Sequence, residues 1–444
     1  MGRLFGTDGV RGVAGRELTG ELAYSLGAAA VRVLGRHGDD HPVVVVGRDT
    51  RASGDFLEAA LAAGICSAGG DVLAAGVQTT PAVAFLATAL GATAGAMISA
   101  SHNPPEDNGI KFFSREGFKL PDHLEDEMEV VLKEEPVRAE GVGVGRIRPV
   151  PEARERYVYH LVGAAEAPLS GMRVVVDCAN GSASGVAPEA LRCLGAEVSV
   201  VADQPDGRNI NVGVGAMHPE VVAAEVVRLG ADAGVAHDGD ADRALFADAG
   251  GNVVDGDQVL AACAIELRDA GRLAGNKVVT TVMANLGFRR SMEEAGIEVL
   301  TTSVGDRYVL EEMLRSGAVV GGEQSGHLIF TEHATTGDGV LTAIVFLSLA
   351  AKSGLTVADL AARMRRYPQV LESVTVRDRG ALDAADEVWE AVRAAESRLG
   401  DGGRILVRSS GTEPLVRVMV EAGTEEEARA HADSIVAVVR ATLG

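Results

Sequence analysis

A short apolar run, a helical pattern and a second apolar run follow one another three times along the chain, and this repetition limits the folds that the chain can adopt. The first runs are rich in valine and lie at 43–46, 174–176 and 278–279. The second runs lie at 70–73, 195–198 and 296–299. Consecutive β-branched residues are typical of strands that are buried on both faces of a parallel sheet. The pattern therefore predicts three βαβ units with right-handed crossovers.

A third apolar stretch follows in each unit, and each of these stretches leads into a densely polar loop. The stretches lie at 91–96, 230–235 and 317–322, and the loops at 99–104, 238–243 and 323–327. Functional groups collect beyond the carboxyl ends of strands in parallel α/β sheets, so the three loops are expected to line one cleft. Ordinary turns are the alternative, because Asp, Gly, Ser and Asn favour them. Recurrence at the same place in three units favours the cleft.

At about 150 residues per domain, a chain of 444 residues is expected to form three or four domains. Residues 134–152 are rich in Val, Gly and Pro without clear periodicity, which is typical of a linker. Beyond Pro368, strand-like runs alternate with two helical patterns, which predicts a smaller α+β domain. The fold class is therefore α/β, with three related βαβ-type, mixed-sheet domains and a C-terminal α+β domain. The expected boundaries are 1–150, 151–254, 255–367 and 368–444.

The composition excludes several classes of protein. The 63 acidic residues against 41 Lys and Arg give a net charge of −22, which argues against nucleic acid as a partner. The four cysteines contain no CxxC pair, so neither a disulfide framework nor a thiolate zinc site is expected. The most apolar run, 343–351, is far shorter than the roughly 20 residues that cross a bilayer. These features predict a cytoplasmic protein without a membrane partner.

The second polar loop has the composition of a metal site. Asp238, Asp240 and Asp242 stand at alternate positions, which places three carboxylates on one side of an extended segment. Oxygen ligands select hard cations, and Mg²⁺ is favoured where a phosphate completes the coordination shell. The alternative is an Asp-rich turn or helix cap without a metal. The adjoining Arg243 indicates that an anion is held there too, and this favours the metal.

Two other segments are suited to phosphate groups. Ser101 lies in the first polar loop, and a serine facing a divalent cation is placed to carry a phosphoryl group, although an isolated serine of this kind would be read as a turn residue. Segment 408–413 joins two predicted strands and contains Arg408, hydroxyl groups and a glycine. Such a segment, with Arg417 adding charge, can form a nest for a dianion. A tight glycine turn with incidental hydroxyls is an equal alternative.

Taken together, the ordered motifs resemble the α-D-phosphohexomutase superfamily over the whole chain. The motifs are GTDGVRG at 6–12, SASHNP at 99–104, DGDADR at 238–243, GEQSGH at 322–327 and RSSGTEPLVRVMVEA at 408–422. The opening motif and Gln324 are most similar to the glucosamine branch of that superfamily. Ser409 stands where relatives commonly have proline, which leaves the hydrogen-bond donors of its loop in place.

The resemblance implies three related α/β domains and a fourth α+β domain around a central cleft, and it implies a role for each matching residue. Ser101 would be phosphorylated in the active enzyme, and its phosphate would join Asp238, Asp240 and Asp242 as ligands of one Mg²⁺ per chain. The residues assigned to substrate binding by the resemblance are Arg11, Glu323, Ser325, Arg408, Ser410, Gly411, Thr412 and Arg417.

The implied reaction is the interconversion of glucosamine 6-phosphate and glucosamine 1-phosphate by an isomerase. The phosphoserine gives its group to the sugar, the bisphosphorylated sugar turns over, and the other phosphate returns to Ser101. Phosphoryl transfer depends on positioning and charge, so Lys111, His102 and Arg243 are expected to contribute electrostatically. His102 could alternatively only orient the loop. Lys111 is either the base, with surrounding cations favouring its neutral form, or a phosphate clamp. His327 is either a proton donor or a sugar contact.

Other functions fit parts of the pattern. A phosphoglucomutase or phosphomannomutase of the same superfamily is the first alternative, because no partner for a 2-ammonium group is evident in the sequence. A phosphatase with an Asp nucleophile and a non-catalytic sugar-phosphate-binding protein are the others. The expected partner is a small phosphosugar. A homodimer is compatible with the resemblance, since the superfamily includes dimers, and the implied context is amino-sugar supply for the bacterial cell wall.

Overall fold

The computed structural model describes residues 3–6, 8–37, 40–135, 138–410 and 414–444. The chain forms two compact units, the first made of Met1–Val282 and Glu298–Ala362, and the second of Met283–Ile297 and Arg363–Gly444. No helix in the described part of the chain combines the length and the apolarity that a membrane span requires.

The first unit begins with a six-stranded sheet. Its strands are β1 (Val10–Val13), β2 (Val43–Arg48), β3 (Asp71–Val77), β4 (Ala94–Ile98), β5 (Asp107–Ser114) and β6 (Ile147–Pro149). The surrounding helices are α1 (Gly20–Arg36), α2 (Gly54–Ser67), α3 (Thr80–Ala89) and α4 (Asp122–Val131). The strand order is β1-β5-β4-β2-β3-β6, and the central β2 is parallel to both neighbours. Val44, Val45 and Val46 are fully buried there, as the apolar run predicts.

The predicted linker at 134–152 is wrong at its C-terminal end. Strand β6 lies within that segment and pairs in parallel with β3, so these residues complete the edge of the first sheet. The strand has only three residues, and all three are exposed. So short an exposed strand has no alternation of apolar and polar residues that a sequence pattern could reveal.

The second sheet has five strands in the order β11-β10-β9-β7-β8. These are β7 (Arg173–Asp177), β8 (Glu197–Val201), β9 (Ala233–His237), β10 (Ala244–Asp248) and β11 (Val253–Val254). Its helices are α5 (Ala153–Gly163), α6 (Ala187–Cys193) and α7 (Pro219–Leu229). Helix α7 ends at Gly230, whose left-handed φ of 64° suits a residue without a side chain.

The third sheet has four strands in the order β13-β12-β14-β15. These are β12 (Lys277–Thr281), β13 (Glu298–Thr302), β14 (Val320–Gly322) and β15 (Leu328–Phe330). The helices of this region are α8 (Gly256–Asp269), α9 (Leu286–Glu294), α10 (Asp306–Ser316), α11 (Gly339–Ser353) and α12 (Val357–Ala361). All but α9 lie in the first compact unit.

The three sheets share one topology, which confirms the predicted repeat. In each sheet, the first strand of the unit lies between the second and the third strands and is parallel to both. The fourth strand follows the third and is antiparallel to it. The corresponding strand orders are β3-β2-β4-β5, β8-β7-β9-β10 and β13-β12-β14-β15. The three polar loops are the turns between the third and fourth strands. The repeat therefore places chemically equivalent loops at equivalent positions in three sheets.

The second compact unit is α+β, as predicted. It contains the antiparallel strands β16 (Gln369–Thr375), β17 (Arg404–Ser409) and β18 (Leu415–Glu421), with helices α13 (Asp386–Leu399) and α14 (Glu425–Leu443). Helix α9 also belongs to it, because the buried carboxylate of Glu421 accepts hydrogen bonds from Leu286 N (2.9 Å) and Asn285 Nδ2 (3.2 Å). The compact units thus cut across the range 255–367, and the four domain boundaries stay a prediction.

Candidate active site

The turn between β9 and β10 holds the three predicted metal ligands. Asp238, Asp240 and Asp242 each offer a carboxylate oxygen, and these oxygens lie within 4.8 Å of one another. All three side chains are buried. Oδ1 of Asp240 and Oδ1 of Asp242 accept no hydrogen bond from the described residues. Buried oxygens without a donor are suited to ligate a hard cation.

The three carboxylates are buried and close together, and this shifts their pKa values. Burial, together with repulsion from Asp242, raises the pKa of Asp240 to about 6. Burial and both neighbouring carboxylates raise the pKa of Asp238 well above its ordinary value. The pKa of Asp242 is lowered despite its burial, because His327 and Arg243 lie beside it. A divalent cation would compensate this concentration of negative charge, so the residues present fit a magnesium site.

Ser101 lies directly beside the triad. Its Oγ donates a hydrogen bond of 2.6 Å to Oδ2 of Asp238, and its side chain is buried. Its φ of 51° is in the left-handed region, which non-glycine residues rarely adopt. The two loops meet closely, since a Cβ at Gly239 would lie 2.7 Å from the carbonyl oxygen of Ser101. The first polar loop (99–104, the serine loop) and the second (238–243, the aspartate loop) are therefore in contact, as predicted.

Thr80, at the start of α3, is a contact of the triad that the sequence analysis missed. Its Oγ1 donates a hydrogen bond of 2.5 Å to Oδ2 of Asp240, and its backbone N–H donates to the carbonyl oxygen of Asp240 at 3.0 Å. Thr79 caps α3 and a proline follows in its first turn, so the segment has the residues of an ordinary helix start and nothing local distinguishes Thr80.

His102 lies beside Ser101, and Arg243 lies beside two of the aspartates. Nδ1 of His102 lies 3.4 Å from Oγ of Ser101, and burial with the nearby Arg243 and Arg11 lowers the pKa of His102 to about 4. The backbone N–H of Arg243 donates to Oδ1 of Asp238 at 3.3 Å, and its Nε lies 3.7 Å from Oδ1 of Asp242. Arg243 thus balances part of the charge of the triad.

Lys111 and Arg11 share one carboxylate. Nζ of Lys111 lies 3.2 Å from Oδ1 of Asp8, and Nη2 of Arg11 lies 3.3 Å from Oδ2 of the same residue. Both cations are on paired strands, Arg11 on β1 and Lys111 on β5. Burial alone would lower the pKa of Lys111, but Asp8, with Asp306 and Asp242, raises it above its ordinary value. The carboxylate of Asp8 thus favours the ammonium form of Lys111, and the choice between base and clamp stays a prediction.

The third loop brings His327 to the triad. Its Nδ1 lies 3.5 Å from Oδ2 of Asp242, and its Nε2 accepts a hydrogen bond of 3.2 Å from the backbone N–H of Gly337. The residue is only 3 % exposed. Both ring nitrogens are thus occupied by protein groups, an arrangement that orients Asp242.

Glu323 and Ser325 belong to the same loop. Oε1 of Glu323 accepts a hydrogen bond of 3.1 Å from the backbone N–H of Gly305, and Oγ of Ser325 is buried with no hydrogen-bond partner among the described residues. Gly305 precedes Asp306, the first residue of α10, which the sequence analysis missed. Asp306 lines a cavity of about 500 Å³ together with His327 and other residues of the first compact unit.

The predicted phosphate-binding residues lie in the second compact unit. Arg408 on β17 and Arg417 on β18 are direct cross-strand partners, and burial together with Arg417 lowers the pKa of Arg408. Like charges placed opposite each other repel, so this pair is suited to an anion. Ser410 is buried, and its N–H donates to Leu415 O at 2.8 Å. The predicted sites at Gly411 and Thr412 lie outside the described residues.

Comparisons with known proteins identify the family of this chain. Models of the four domains of phosphoglucomutase/phosphomannomutase match residues 2–138 (domain I, alpha/beta/alpha), 155–251 (domain II), 255–367 (domain III) and 371–438 (C-terminal domain). The phosphoglucosamine mutase of Frankia casuarinae is 55% identical over 451 residues, covering 100% of this chain and 99% of that protein.

Solved structures show the same fold. A phosphoglucomutase/phosphomannomutase family protein from Burkholderia thailandensis has a TM-score of 0.84 at 25% identity, covering 99% of this chain and 97% of its own. The N-acetylphosphoglucosamine mutase of Aspergillus fumigatus, solved in complex with GlcNAc-6P and magnesium, has a TM-score of 0.70 at 20% identity, covering 99% and 96%. The chain belongs to the phosphoglucomutase/phosphomannomutase family and, within it, to the phosphoglucosamine mutases.

Proposed function

We propose that this protein interconverts glucosamine 6-phosphate and glucosamine 1-phosphate through a phosphorylated Ser101 and a bisphosphorylated sugar. The observation that carries the proposal is the 2.6 Å hydrogen bond from Ser101 Oγ to Asp238, a member of the buried triad. A phosphoryl group on this oxygen would lie next to the metal ligands. The full-length similarity to phosphoglucosamine mutases supports the choice of substrate.

Asp238, Asp240 and Asp242 would hold one Mg²⁺, with an oxygen of the Ser101 phosphate as a further ligand. Two of their buried oxygens lack a hydrogen-bond donor among the described residues, which leaves them available for a cation. The magnesium complex of the Aspergillus relative supports this choice of metal. When bound, the cation neutralises negative charge on the phosphoryl oxygens.

The protein's own groups position the transfer in both directions. In the forward step the bond between phosphorus and Oγ of Ser101 breaks, and a bond forms between phosphorus and a hydroxyl oxygen of the sugar. The bisphosphorylated sugar then turns over. In the return step the bond between its other phosphorus and the sugar oxygen breaks, a bond forms between that phosphorus and Oγ of Ser101, and the proton of the serine hydroxyl passes to the sugar oxygen of the departing monophosphate isomer. Arg243 stabilises charge near Asp238 and Asp242, and His327 orients Asp242 through the 3.5 Å contact of Nδ1.

Of the two roles predicted for Lys111, the ion pair with Asp8 supports the clamp. Asp8 holds the ammonium form, which binds phosphoryl oxygens but cannot accept a proton. As the new bond forms, the hydroxyl proton of the sugar passes by way of an oxygen of the transferred phosphoryl group to Oγ of Ser101, which leaves as a hydroxyl. Such a route fits the loose transition state of phosphoryl transfer, in which little base catalysis is needed. Arg11, on the other side of Asp8, would contact the substrate phosphate.

Acidic side chains support an amino sugar over a neutral sugar. Glu323 and Asp306 flank Gly305, whose N–H binds Oε1 of Glu323, and Asp306 lines the cavity that also reaches His327. A carboxylate near the ring would attract the 2-ammonium group of glucosamine phosphate, which glucose and mannose phosphates lack. Ser325 and Glu323 would bind ring hydroxyls. Arg408, Ser410, Gly411, Thr412 and Arg417 would grip the phosphate that does not react.

Three measurements on the purified protein test the proposal. Intact-mass analysis with peptide mapping should find a phosphorylated fraction at Ser101. Turnover of the 6-phosphates of glucosamine, glucose and mannose should be fastest for glucosamine, and faster turnover of either neutral sugar would assign the chain to the alternative substrates. Steady release of inorganic phosphate that does not require Ser101 would indicate a phosphatase. The cytoplasmic location and the homodimer stay predictions, which fractionation of cells and light scattering would examine.

A further inference from the structure

Arg51 is the most deeply buried cation near the serine loop, and the mechanism above does not use it. It lies between β2 and α2 and is 1 % exposed. Its Nε donates a hydrogen bond of 2.9 Å to Oδ2 of Asp49, which is itself fully buried. A buried charge is tolerated only when it is paired and its donors are satisfied, so the acceptors of this guanidinium show what it holds.

The other four N–H groups of Arg51 bind the main chain of the serine loop and of β5. Nη2 donates to the carbonyl oxygens of Ser101 (3.0 Å) and Asn103 (2.8 Å). Nη1 donates to the carbonyl oxygens of Asp107 (2.9 Å) and Pro104. An arginine has five side-chain N–H donors, and each of them therefore has an acceptor. One side chain thus binds three carbonyl groups of the loop that carries Ser101 and a fourth at the first residue of β5.

Asp49 extends the same arrangement to the N–H group of Ser101. The hydroxyl of Ser99 donates a hydrogen bond of 2.6 Å to Oδ2 of Asp49 and accepts one of 2.9 Å from the backbone N–H of Ser101. Both polar groups of the Ser101 main chain are thereby connected to the Asp49–Arg51 ion pair.

Asn211, from the region of the second sheet, binds the same carbonyl groups. Its Nδ2 donates to the carbonyl oxygens of Ser101 (2.9 Å) and Asn103 (3.1 Å). Each carbonyl oxygen has two lone pairs, so it can accept from Asn211 and Arg51 together. The loop is thus held from its own sheet and from the loop region of the neighbouring sheet.

We propose that Arg51 and Asn211 are positioning residues for phosphoryl transfer, which hold the strained main chain of Ser101 so that Oγ stays beside Asp238 in both half-reactions. This inference rests on the proposed function. Oγ must serve first as leaving group and later as nucleophile from one position. A displacement of about 1 Å in such an arrangement costs on the order of 100-fold in rate. Neither residue is assigned a contact with the sugar, so substrate binding should change little.

The experiment compares Arg51→Lys and Asn211→Ala with the wild type and with a matched control, Arg48→Lys. Arg48 is at the end of β2, and its guanidinium pairs with two carboxylates of α2, Glu58 (2.8 Å) and Asp55 (2.6 Å). Each variant is assayed for kcat and KM on glucosamine 6-phosphate, and for single-turnover transfer from phosphorylated Ser101. Thermal unfolding and calorimetric titration of the dephosphorylated protein with glucosamine 6-phosphate show whether folding and binding persist.

We expect kcat and the single-turnover rate of Arg51→Lys to fall about 100-fold, with KM changed less than about threefold. For Asn211→Ala we expect a fall of about tenfold, because Arg51 still holds the loop, and for Arg48→Lys rates within twofold of the wild type. Folded variants with wild-type kcat, or with a raised KM alone, would overturn the inference. If Arg51→Lys does not fold, Asn211→Ala decides by the same criterion. A wild type that shows neither turnover nor phosphorylated Ser101 would refute the proposed function instead.

Discussion

The hydroxyl of Ser101 donates a 2.6 Å hydrogen bond to Asp238, which lies 137 positions further along the chain. The two residues sit in equivalent turns of two sheets with the same topology, after β4 and after β9. The close approach needs Gly239 between the aspartates, because a side chain there would meet the Ser101 carbonyl. The repeat of the fold thus brings a phosphate carrier and a set of metal ligands together.

Replacing Ser101 with alanine should remove turnover while leaving phosphosugar binding in place. The variant lacks the oxygen that carries the phosphoryl group, and we expect kcat to fall by at least about 1,000-fold. Coupled assays measure the rate, and calorimetry with glucosamine 6-phosphate measures binding. Ser199→Ala, at an exposed position on β8, is the control and should behave as the wild type. Near-normal turnover of Ser101→Ala would contradict the assignment.

Replacing Asp240 with asparagine should uncouple the protein from magnesium. The change removes one of three crowded carboxylates, and we expect kcat to fall at least about 100-fold. Addition of Mg²⁺ to metal-stripped protein should raise the thermal midpoint of the wild type, since a ligand bound only by the native state stabilises it. The midpoint of Asp240→Asn should respond much less. Asp203→Asn, at an exposed position, is the control. A wild type unaffected by chelation would argue against the metal site.

Two substitutions of Lys111 separate the clamp from the base. Arginine keeps a positive charge but does not give up a proton at assay pH, whereas methionine keeps only the length of the side chain. If Lys111 is a clamp paired with Asp8, Lys111→Arg should retain roughly a tenth of kcat and Lys111→Met should lose about 100-fold. Equal losses of kcat in both variants would instead favour Lys111 as the general base. Steady-state kinetics at fixed pH provides the comparison.

The buried Asp338 should make the stability of the protein depend on pH. Its Oδ2 accepts a 2.5 Å hydrogen bond from the hydroxyl of Tyr157, and its Oδ1 accepts one from Leu341 N at the start of α11. Burial outweighs these bonds and raises its pKa to about 6, from 3.8. The folded state therefore favours the protonated form of Asp338. Its contribution to the free energy of unfolding is fully present below about pH 4 and is lost as the pH rises through 6.

Asp338→Asn, which is never charged, should consequently gain stability relative to the wild type as the pH rises. A shift of about two units corresponds to about 3 kcal/mol at most. Thermal midpoints of both proteins are measured at pH 4.5 and pH 7.5. The midpoint of the variant relative to that of the wild type should be higher at pH 7.5 than at pH 4.5. A difference that is independent of pH would show that Asp338 is ionised in the folded protein at both values.

Some contacts of the site could not have been predicted from the sequence. Arg51 binds four carbonyl oxygens, and side chain to main chain bonds leave no trace in residue types. Thr80 reaches Asp240 because α3 begins beside the second loop. The sequence left Lys111 open between base and clamp, because Asp8, whose carboxylate lies 3.2 Å from its Nζ, is far from it along the chain. Each of these depends on distances between segments that the sequence separates widely.

The fold class, in contrast, follows from local patterns. Runs such as 43–46 form buried strands because β-branched side chains pack well between two layers of helices, and the polar loops follow the third strand of each unit. Residue chemistry alone also marked the aspartates as cation ligands. The packing of the sheets decided which groups contact those aspartates and which charge state each group has. The reason is that burial and through-space distance govern hydrogen bonding and pKa.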